Sequence, residues 1–138
     1  MIRYVLASHG TLAEGMKSSI ELIMGDRQKI ETLCAYIDDS NIHDQIKEVM
    51  SRNNPKETLL VITDLFGGSV NNAFLEYLQD EKFYLIAGMN LSLLLQLMLI
   101  KDEDDFSKSI LNIIEASKES ILYCNDVVEN LQLEESDF

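Results

Sequence analysis

The sequence predicts an α/β fold, in which an open parallel sheet of four strands carries helices on both faces, in a single domain over residues 1–138. Short, almost continuously apolar runs alternate along the chain with longer runs in which apolar residues recur every three or four positions. Strands with one solvent-facing side alternate apolar and polar residues instead. Continuous apolar strands between helices therefore indicate a parallel sheet that is covered on both faces.

The first half of the chain supplies two strand–helix pairs. Residues 2–7 and 30–37 are short apolar runs and are predicted strands. After the first run, apolar residues recur at helical spacing until Gly25, which stands where a helix C-cap belongs. After the second run, a helix is predicted from about Ile42, and the run Asn53-Asn54-Pro55 ends it.

The second half continues the alternation. Residues 58–63 are the most strand-like run of the chain, and residues 83–87 form a fourth strand. Helical spacing is found from Val70 to Leu78, over residues 92–100, and in a long pattern from Phe106 to Ile121. The most apolar of these helices, residues 92–100, has about half of the roughly 20 residues that a membrane span needs, so it is predicted to be a buried helix.

The composition excludes two kinds of partner. There are 24 acidic residues against 11 basic ones, and the net charge is −13. Nucleic acids and anionic membranes both need clustered Lys and Arg, so neither is expected to bind. The N-terminus does not resemble a signal peptide, and we expect a cytoplasmic protein. Cys34 and Cys124 lie in apolar surroundings and are predicted to be reduced core thiols.

Three segments are candidates for a ligand site. In open parallel sheets, ligands bind outside the carboxyl ends of the strands. At those ends the sequence places Ser8-His9-Gly10 after the first strand, residues 64–69 after the third, and Gly88-Met89-Asn90 after the fourth. The first and third strands are expected to be neighbours, which would bring the first two segments together.

The turn after the third strand contains Gly67, Gly68 and Ser69. Glycines allow a close approach of the backbone to a ligand, and the amides at the start of the following helix suit a phosphate group. The same sequence also fits a tight turn in which Ser69 is an ordinary N-cap. No Lys follows the glycines, so this is not a Walker motif.

His9 gives this edge of the sheet a possible nucleophile. Asp64, at the end of the third strand, is placed to accept a hydrogen bond from one ring nitrogen of His9. The other nitrogen then keeps its lone pair free to attack. Gly10 leaves clearance for the incoming group. These parts suit phosphoryl transfer through a phosphohistidine, where catalysis is mostly positioning and electrostatics.

The second histidine, His43, is predicted to be exposed and inert. It lies early in a helix, three residues after the candidate N-cap Ser40. No cluster of His, Cys and acidic residues has the spacing of a metal site, so no metal is expected. The acidic run of residues 101–105 lacks the glycine and the spaced Glu of a calcium loop, and it is predicted to be a solvated loop that caps the last helix.

Taken together, these segments resemble a known family. The runs "SHG", "DLFGGS" and "AGMN", in this order at strand ends, are similar to the EIIA domain of the mannose family of the bacterial sugar phosphotransferase system. The resemblance covers nearly the whole chain. No single motif is specific, but their combination is.

The resemblance implies a function. The family's EIIA accepts a phosphoryl group from the phosphocarrier protein HPr on a histidine and passes it to an EIIB partner, which phosphorylates a sugar entering through membrane components. The phosphorylated histidine would be His9, the orienting aspartate Asp64, and the phosphate turn Gly67, Gly68 and Ser69. The resemblance also implies one added antiparallel strand, a homodimer that exchanges this strand, and no cofactor.

The chain departs from the family pattern at two positions and is ambiguous at a third. The family usually has proline where this chain has Val70 and Ser92. Proline there would pre-set the backbone without supplying chemistry, so activity is expected to survive. Residues 121–128 could be the exchanged strand or could continue the last helix.

Other families fit less well. A histidine phosphatase needs an Arg before the first histidine and a second catalytic histidine late in the chain, and a receiver domain needs an acidic pair after the first strand; none is present. The phosphoryl-donor subunit of dihydroxyacetone kinases is an alternative of similar fold, but the corresponding part of that subunit generally lacks the Gly-Gly-Ser turn. A non-catalytic regulatory homologue is a further alternative, although both His9 and Asp64 are retained.

Overall fold

The computed structural model describes residues 1–101 and 105–136 and confirms the four-stranded parallel sheet. The elements follow in the order β1 (Ile2–His9), α1 (Leu12–Met24), β2 (Ile30–Ala35), α2 (Ile42–Ser51), β3 (Thr58–Thr63), α3 (Ser69–Leu75), β4 (Phe83–Ala87), α4 (Leu91–Leu97), α5 (Phe106–Lys118) and α6 (Cys124–Ser136). The strand order is β2-β1-β3-β4.

The sheet register brings the strand ends to one edge. β1 pairs in parallel with both β2 and β3, with His9 beside Ala35 and Ala7 beside Thr63. β1 therefore continues two residues beyond its predicted end, since His9 still pairs with β2. β2 ends at Ala35 rather than at residue 37, because the chain turns sharply at the next residue.

Helices cover both faces of the sheet, as predicted. Successive side chains of a strand point to opposite faces. In β1, Tyr4 and Leu6 pack into a core cluster with α1, α4 and α5, while Val5 and Ala7 pack into a second cluster with α2 and α3. This division explains why the strands are apolar without alternation.

Most helix ends follow the predicted signals. Gly25 is the C-cap of α1 and has a left-handed backbone, with φ 82°. Asp105 is the N-cap of α5 and accepts a hydrogen bond from the Lys108 amide; the rest of the acidic run, residues 102–104, lies outside the described residues. The N-cap of α2 is Asn41 and not Ser40, because the Asn41 side chain accepts from the amides of the first turn.

The C-terminal segment differs from the expectations. α5 ends at Lys118, and residues 124–136 form the separate helix α6. The described residues contain no fifth, antiparallel strand, and residues 124–128 are helical. Cys34 is buried in β2 as predicted, but the prediction for Cys124 is wrong: this thiol is exposed, because it begins a helix that is exposed along almost its whole described surface.

Candidate functional site

His9 lies at the carboxyl edge of the sheet as the last residue of β1. Gly10 follows with a left-handed backbone, φ 58°, and its amide donates to the Ala35 carbonyl at 2.8 Å. This turn leads the chain away towards α1 and leaves the imidazole at the edge, with its side chain 44% exposed. The site therefore starts from a histidine whose backbone is fixed and whose ring is accessible.

Asp64 follows β3, the neighbour of β1, and binds His9 twice. Its Oδ2 accepts from the backbone amide of His9 and from the ring nitrogen Nδ1, both at 2.8 Å. A carboxylate can only accept, so Nδ1 carries a proton, and in the neutral imidazole Nε2 then keeps its lone pair. The predicted convergence of these two residues is confirmed: β3 ends at Thr63, and Asp64 follows it directly.

The environment of Asp64 keeps it ionised. Burial raises the pKa of this carboxyl, but the hydrogen bonds from the His9 amide and ring, together with the positive charge that the ring carries in its protonated form, outweigh burial and hold the pKa below its ordinary value of 3.8. The side chain is 11% exposed. Its second oxygen, Oδ1, is buried and accepts no hydrogen bond from the described residues. Among the described residues, the side-chain hydrogen bonds of Asp64 are therefore made with His9.

Ser69 faces the other ring nitrogen. Its Oγ lies 3.3 Å from Nε2 of His9. Ser69 is the first residue of α3, and the N-cap is Gly68, with no side-chain cap. The alternative in which Ser69 is an ordinary N-cap is therefore wrong, and its hydroxyl is directed at the imidazole.

The two glycines of the turn have different reasons to be glycine. Gly67 has a φ of 81°, in the left-handed region that side chains rarely adopt. Gly68 has an ordinary φ of −72°, but a Cβ there would lie 3.3 Å from the Leu65 carbonyl oxygen and 3.4 Å from Cε1 of His9. Gly67 lets the chain turn, and Gly68 lets it pass close to the ring.

Tyr36 is a site residue that sequence reasoning missed. Its hydroxyl lies 2.8 Å from Oγ of Ser69, and its ring centroid lies 5.4 Å from that of His9. Tyr36 directly follows β2, the other neighbour of β1. The rule that ligands bind at the carboxyl ends of parallel strands also applies to β2. Because β2 was predicted to run to residue 37, Tyr36 was assigned to the strand and not to the segment after it.

The segment after β4 has a structural role. The amides of Gly88 and Met89 both donate to the Thr63 carbonyl, at 3.1 and 3.0 Å. The Asn90 side chain caps α4 by accepting from the Leu93 amide at 2.9 Å. Among the three predicted edge segments, those of His9 and Asp64 are thus brought together, while this one anchors β4 and α4.

The remaining predicted residues lie on helices α2, α3 and α4. Val70, at one of the two positions where the family usually has proline, is the second residue of α3 and is fully buried. Ser92 is the second residue of α4. His43 is exposed on α2. Within residues 1–101 and 105–136, no three His, Cys, Asp or Glu side chains are grouped as a metal site would require. In the same residues, no helix has the length and apolarity to cross a bilayer.

The fold and the site together define an α/β protein with an oriented, accessible histidine at the carboxyl edge of a parallel sheet. An imidazole whose Nδ1 is held by a carboxylate can act as a nucleophile through Nε2. The Ser69 hydroxyl lies beside Nε2, and the turn that leads into α3 passes close to the ring.

Comparisons with known proteins identify the family. The model of the mannose-type EIIA family, described as the PTS system fructose IIA component, matches residues 3–114. The chain belongs to this family of sugar phosphotransferase system components.

Individual relatives agree. The chain is 20% identical over 140 residues to the fructose-specific EIIA component of Bacillus subtilis, covering 99% of this chain and 96% of that protein. It is 23% identical to the mannose-specific EIIAB component of Escherichia coli K12, covering 87% of this chain but 38% of that longer protein. A crystal structure from Klebsiella pneumoniae, described as a phosphoenolpyruvate-dependent sugar phosphotransferase system permease, is 40% identical, covers 92% of this chain and 93% of its own, and has a TM-score of 0.87.

The family match supports a role in sugar phosphotransfer and does not favour the dihydroxyacetone kinase subunit.

Proposed function

We propose that this protein accepts a phosphoryl group from HPr on Nε2 of His9 and passes it to an EIIB partner for sugar uptake. The observation that carries the proposal is the pair of hydrogen bonds from His9 to Asp64 Oδ2, which fixes the ring and, in the neutral imidazole, places the proton on Nδ1 so that the Nε2 lone pair is available. Asp64 also stabilises the positive charge that develops on the ring as the N–P bond forms.

The neighbouring residues fit a phosphoryl group on Nε2. Gly10 has open space where a side chain would begin, so it leaves clearance for the incoming group. Gly67 and Gly68 allow the chain to approach the ring and begin α3, whose first amides suit an anion. Ser69 can donate its hydroxyl to a phosphoryl oxygen, because its Oγ already lies 3.3 Å from Nε2.

The surroundings of His9 fit a protein partner rather than a small molecule. Large apolar side chains are exposed on the segments that follow β1, β2 and β3. The most exposed is Phe66, at 79%; the others are Leu12, Tyr36, Ile37 and Leu65. Exposed apolar residues grouped around a reactive side chain mark an interaction site, here for HPr and EIIB in turn. The net charge of −13 would suit a basic partner face.

The same reasoning supports a homodimer. Ile121, Leu122 and Tyr123 precede α6 and are exposed in the single chain, as are Val128 and Leu131 on α6 itself. A helix that exposes apolar residues needs a partner surface, and a second copy of the chain is the partner that we propose.

Cytoplasmic localisation follows from the proposed partners. The sugar that is carried is decided by components outside this chain.

The proposal is tested by intact-mass spectrometry. The purified chain is mixed with phosphoenolpyruvate, Enzyme I and HPr, and one added phosphoryl group is expected that is labile in acid and stable in base. Addition of EIIB should then remove it. A folded chain that takes no group from active phospho-HPr would contradict the proposal and favour a non-catalytic regulatory role.

A further inference from the structure

Tyr36 has a backbone that tyrosine rarely adopts. It is one of two described non-glycine residues with a positive φ, at 66°, and it lies directly after β2. The left-handed region is unfavourable for a bulky side chain and persists only where the surroundings enforce it. Here the turn brings the ring back over the sheet edge, against the imidazole of His9, with 34° between the two ring planes.

The hydrogen bonds at this edge have a defined direction. In the neutral imidazole, which is the nucleophilic form, Nδ1 donates to Asp64 and Nε2 can therefore only accept. The hydroxyl proton of Ser69, 3.3 Å away, therefore points at Nε2. With its own proton used in this way, Oγ of Ser69 is the acceptor for the Tyr36 hydroxyl at 2.8 Å. The chain of donors is Tyr36 to Ser69 to His9.

We propose that Tyr36 is a positioning residue for phosphoryl transfer, which holds the Ser69 hydroxyl as a donor towards Nε2 of His9 and towards the phosphoryl group that becomes attached there. The inference deepens the proposed function and rests on it. Without the phenol, the Ser69 hydroxyl could rotate freely among several acceptors. With it, one lone pair of Oγ is occupied and the proton is directed at the reacting nitrogen.

The step balances without any added reactant. The lone pair of Nε2 forms the new N–P bond, while the P–N bond of the phosphohistidine donor breaks and leaves its electron pair on the donor's ring nitrogen. Nδ1 keeps its proton, which remains shared with Asp64. Ser69 turns its proton from Nε2 to a phosphoryl oxygen, and the Tyr36 hydroxyl continues to donate to Oγ throughout. No proton leaves the site.

The first test needs no phosphoryl donor. ¹⁵N spectra of the histidine side chains of the unphosphorylated protein report the tautomer and the hydrogen bond at Nε2. Tyr36→Phe keeps the ring and removes only the hydroxyl. We expect the His9 Nε2 resonance to move towards that of a nitrogen with a weaker hydrogen bond, while the Nδ1–H tautomer is kept. An unchanged Nε2 resonance would overturn the inference.

The second test measures the rate of phosphoryl acceptance from phospho-HPr. Tyr36→Phe is expected to lower it about 3- to 10-fold, the effect of one lost hydrogen bond. Ser69→Ala should lower it more, and the double variant should be no slower than Ser69→Ala alone, because Tyr36 acts through Ser69. An equal loss from Tyr36→Phe in both backgrounds would overturn the inference.

Controls separate this inference from the proposed function. Tyr84→Phe makes the same substitution near the start of β4, where the ring stacks on Phe106, and should leave both readouts unchanged. A wild-type chain that takes no phosphoryl group overturns the proposed function and the transfer role of Tyr36 together. A wild-type chain that is phosphorylated at the same rate as Tyr36→Phe overturns the role of Tyr36 alone.

Discussion

The two histidines of the chain each lie near a carboxylate, but only one of them is oriented by it. His9 Nδ1 is 2.8 Å from Asp64, whose side chain is 11% exposed and is also bound by the His9 amide. His43 Nδ1 is 3.9 Å from Glu76, and both of these side chains are about two-thirds exposed, at 65% and 64%. A carboxylate orients a ring when it is itself held by a second bond and shielded from water.

The difference comes from the elements that carry the residues. His9 and Asp64 lie at the ends of adjacent parallel strands, whose register fixes their backbones relative to each other. His43 lies in the first turn of α2, and Glu76 lies at the end of α3, so each side chain reaches across the surface from its own helix. Exposed pairs of this kind contribute little, because water and rotamer freedom compete.

The largest effect is expected from removing each histidine in turn. His9→Ala should abolish phosphoryl acceptance from phospho-HPr, because it removes the nucleophile, and His43→Ala should leave acceptance at the wild-type level. Intact-mass spectrometry measures both. Phosphoryl acceptance by the His9→Ala variant, or loss of acceptance in a folded His43→Ala variant, would contradict the assignment of the nucleophile to His9.

The second prediction replaces the carboxylate beside each histidine. Asp64→Asn should fold but transfer the phosphoryl group on the order of 10²-fold more slowly, because the amide neither fixes the Nδ1–H tautomer nor stabilises the charged ring. Glu76→Gln is the matched control and should transfer at the wild-type rate. Rapid-quench measurement of acceptance gives both rates. Equal rates for wild type and Asp64→Asn would mean that Asp64 has only a structural role.

The sequence predicted the sheet and its edge well because both follow from local patterns. The strands β3 and β4 have the predicted bounds, since apolar runs buried on both faces have clear ends. The convergence of His9 and Asp64 required only that β1 and β3 be neighbours. The carboxyl-edge rule then indicated where a ligand would lie.

The missed features depend on contacts that no local pattern reveals. Tyr36 has a left-handed backbone and its side chain contacts His9 and Ser69, whereas tyrosine by itself favours an extended strand. The exposure of Cys124 follows from the separate, largely exposed helix α6, which the amphipathic pattern of residues 106–121 did not indicate. Both features are decided by tertiary structure.

Gly68 tests how closely the turn must approach the His9 ring, because the absence of a side chain at this position leaves room for the ring. Gly68→Ala would place Cβ 3.4 Å from Cε1 of His9 and 3.3 Å from a backbone carbonyl, so the ring or the turn must shift. We expect phosphoryl acceptance to fall about tenfold, because a small displacement of a reacting group is costly. Rapid-quench kinetics on the folded variant measures this fall.

Gly15 offers the matched control on α1. A Cβ at Gly15 meets no atom within 4 Å, and the position is inside a helix. Gly15→Ala should therefore raise the free energy of unfolding by about 0.5–1 kcal/mol and leave acceptance unchanged. Wild-type kinetics in Gly68→Ala would show that the close approach to the ring is not needed.

The smallest effect is expected in the pH dependence of stability, through the carboxylate of Asp64. Because the pKa of Asp64 is held below its ordinary value of 3.8 in the folded protein, its ionised form stabilises the fold. This contribution is fully present above the unfolded pKa and is lost as the pH falls through the lower folded pKa. The difference in free energy of unfolding between wild type and Asp64→Asn should therefore stay constant from about pH 6 to pH 5 and shift against the wild type below pH 3.8.

Urea unfolding at a series of pH values measures this difference, with Glu76→Gln as the control. A difference that is independent of pH down to the acid limit would mean that the hydrogen bonds from His9 do not favour the ionised carboxylate.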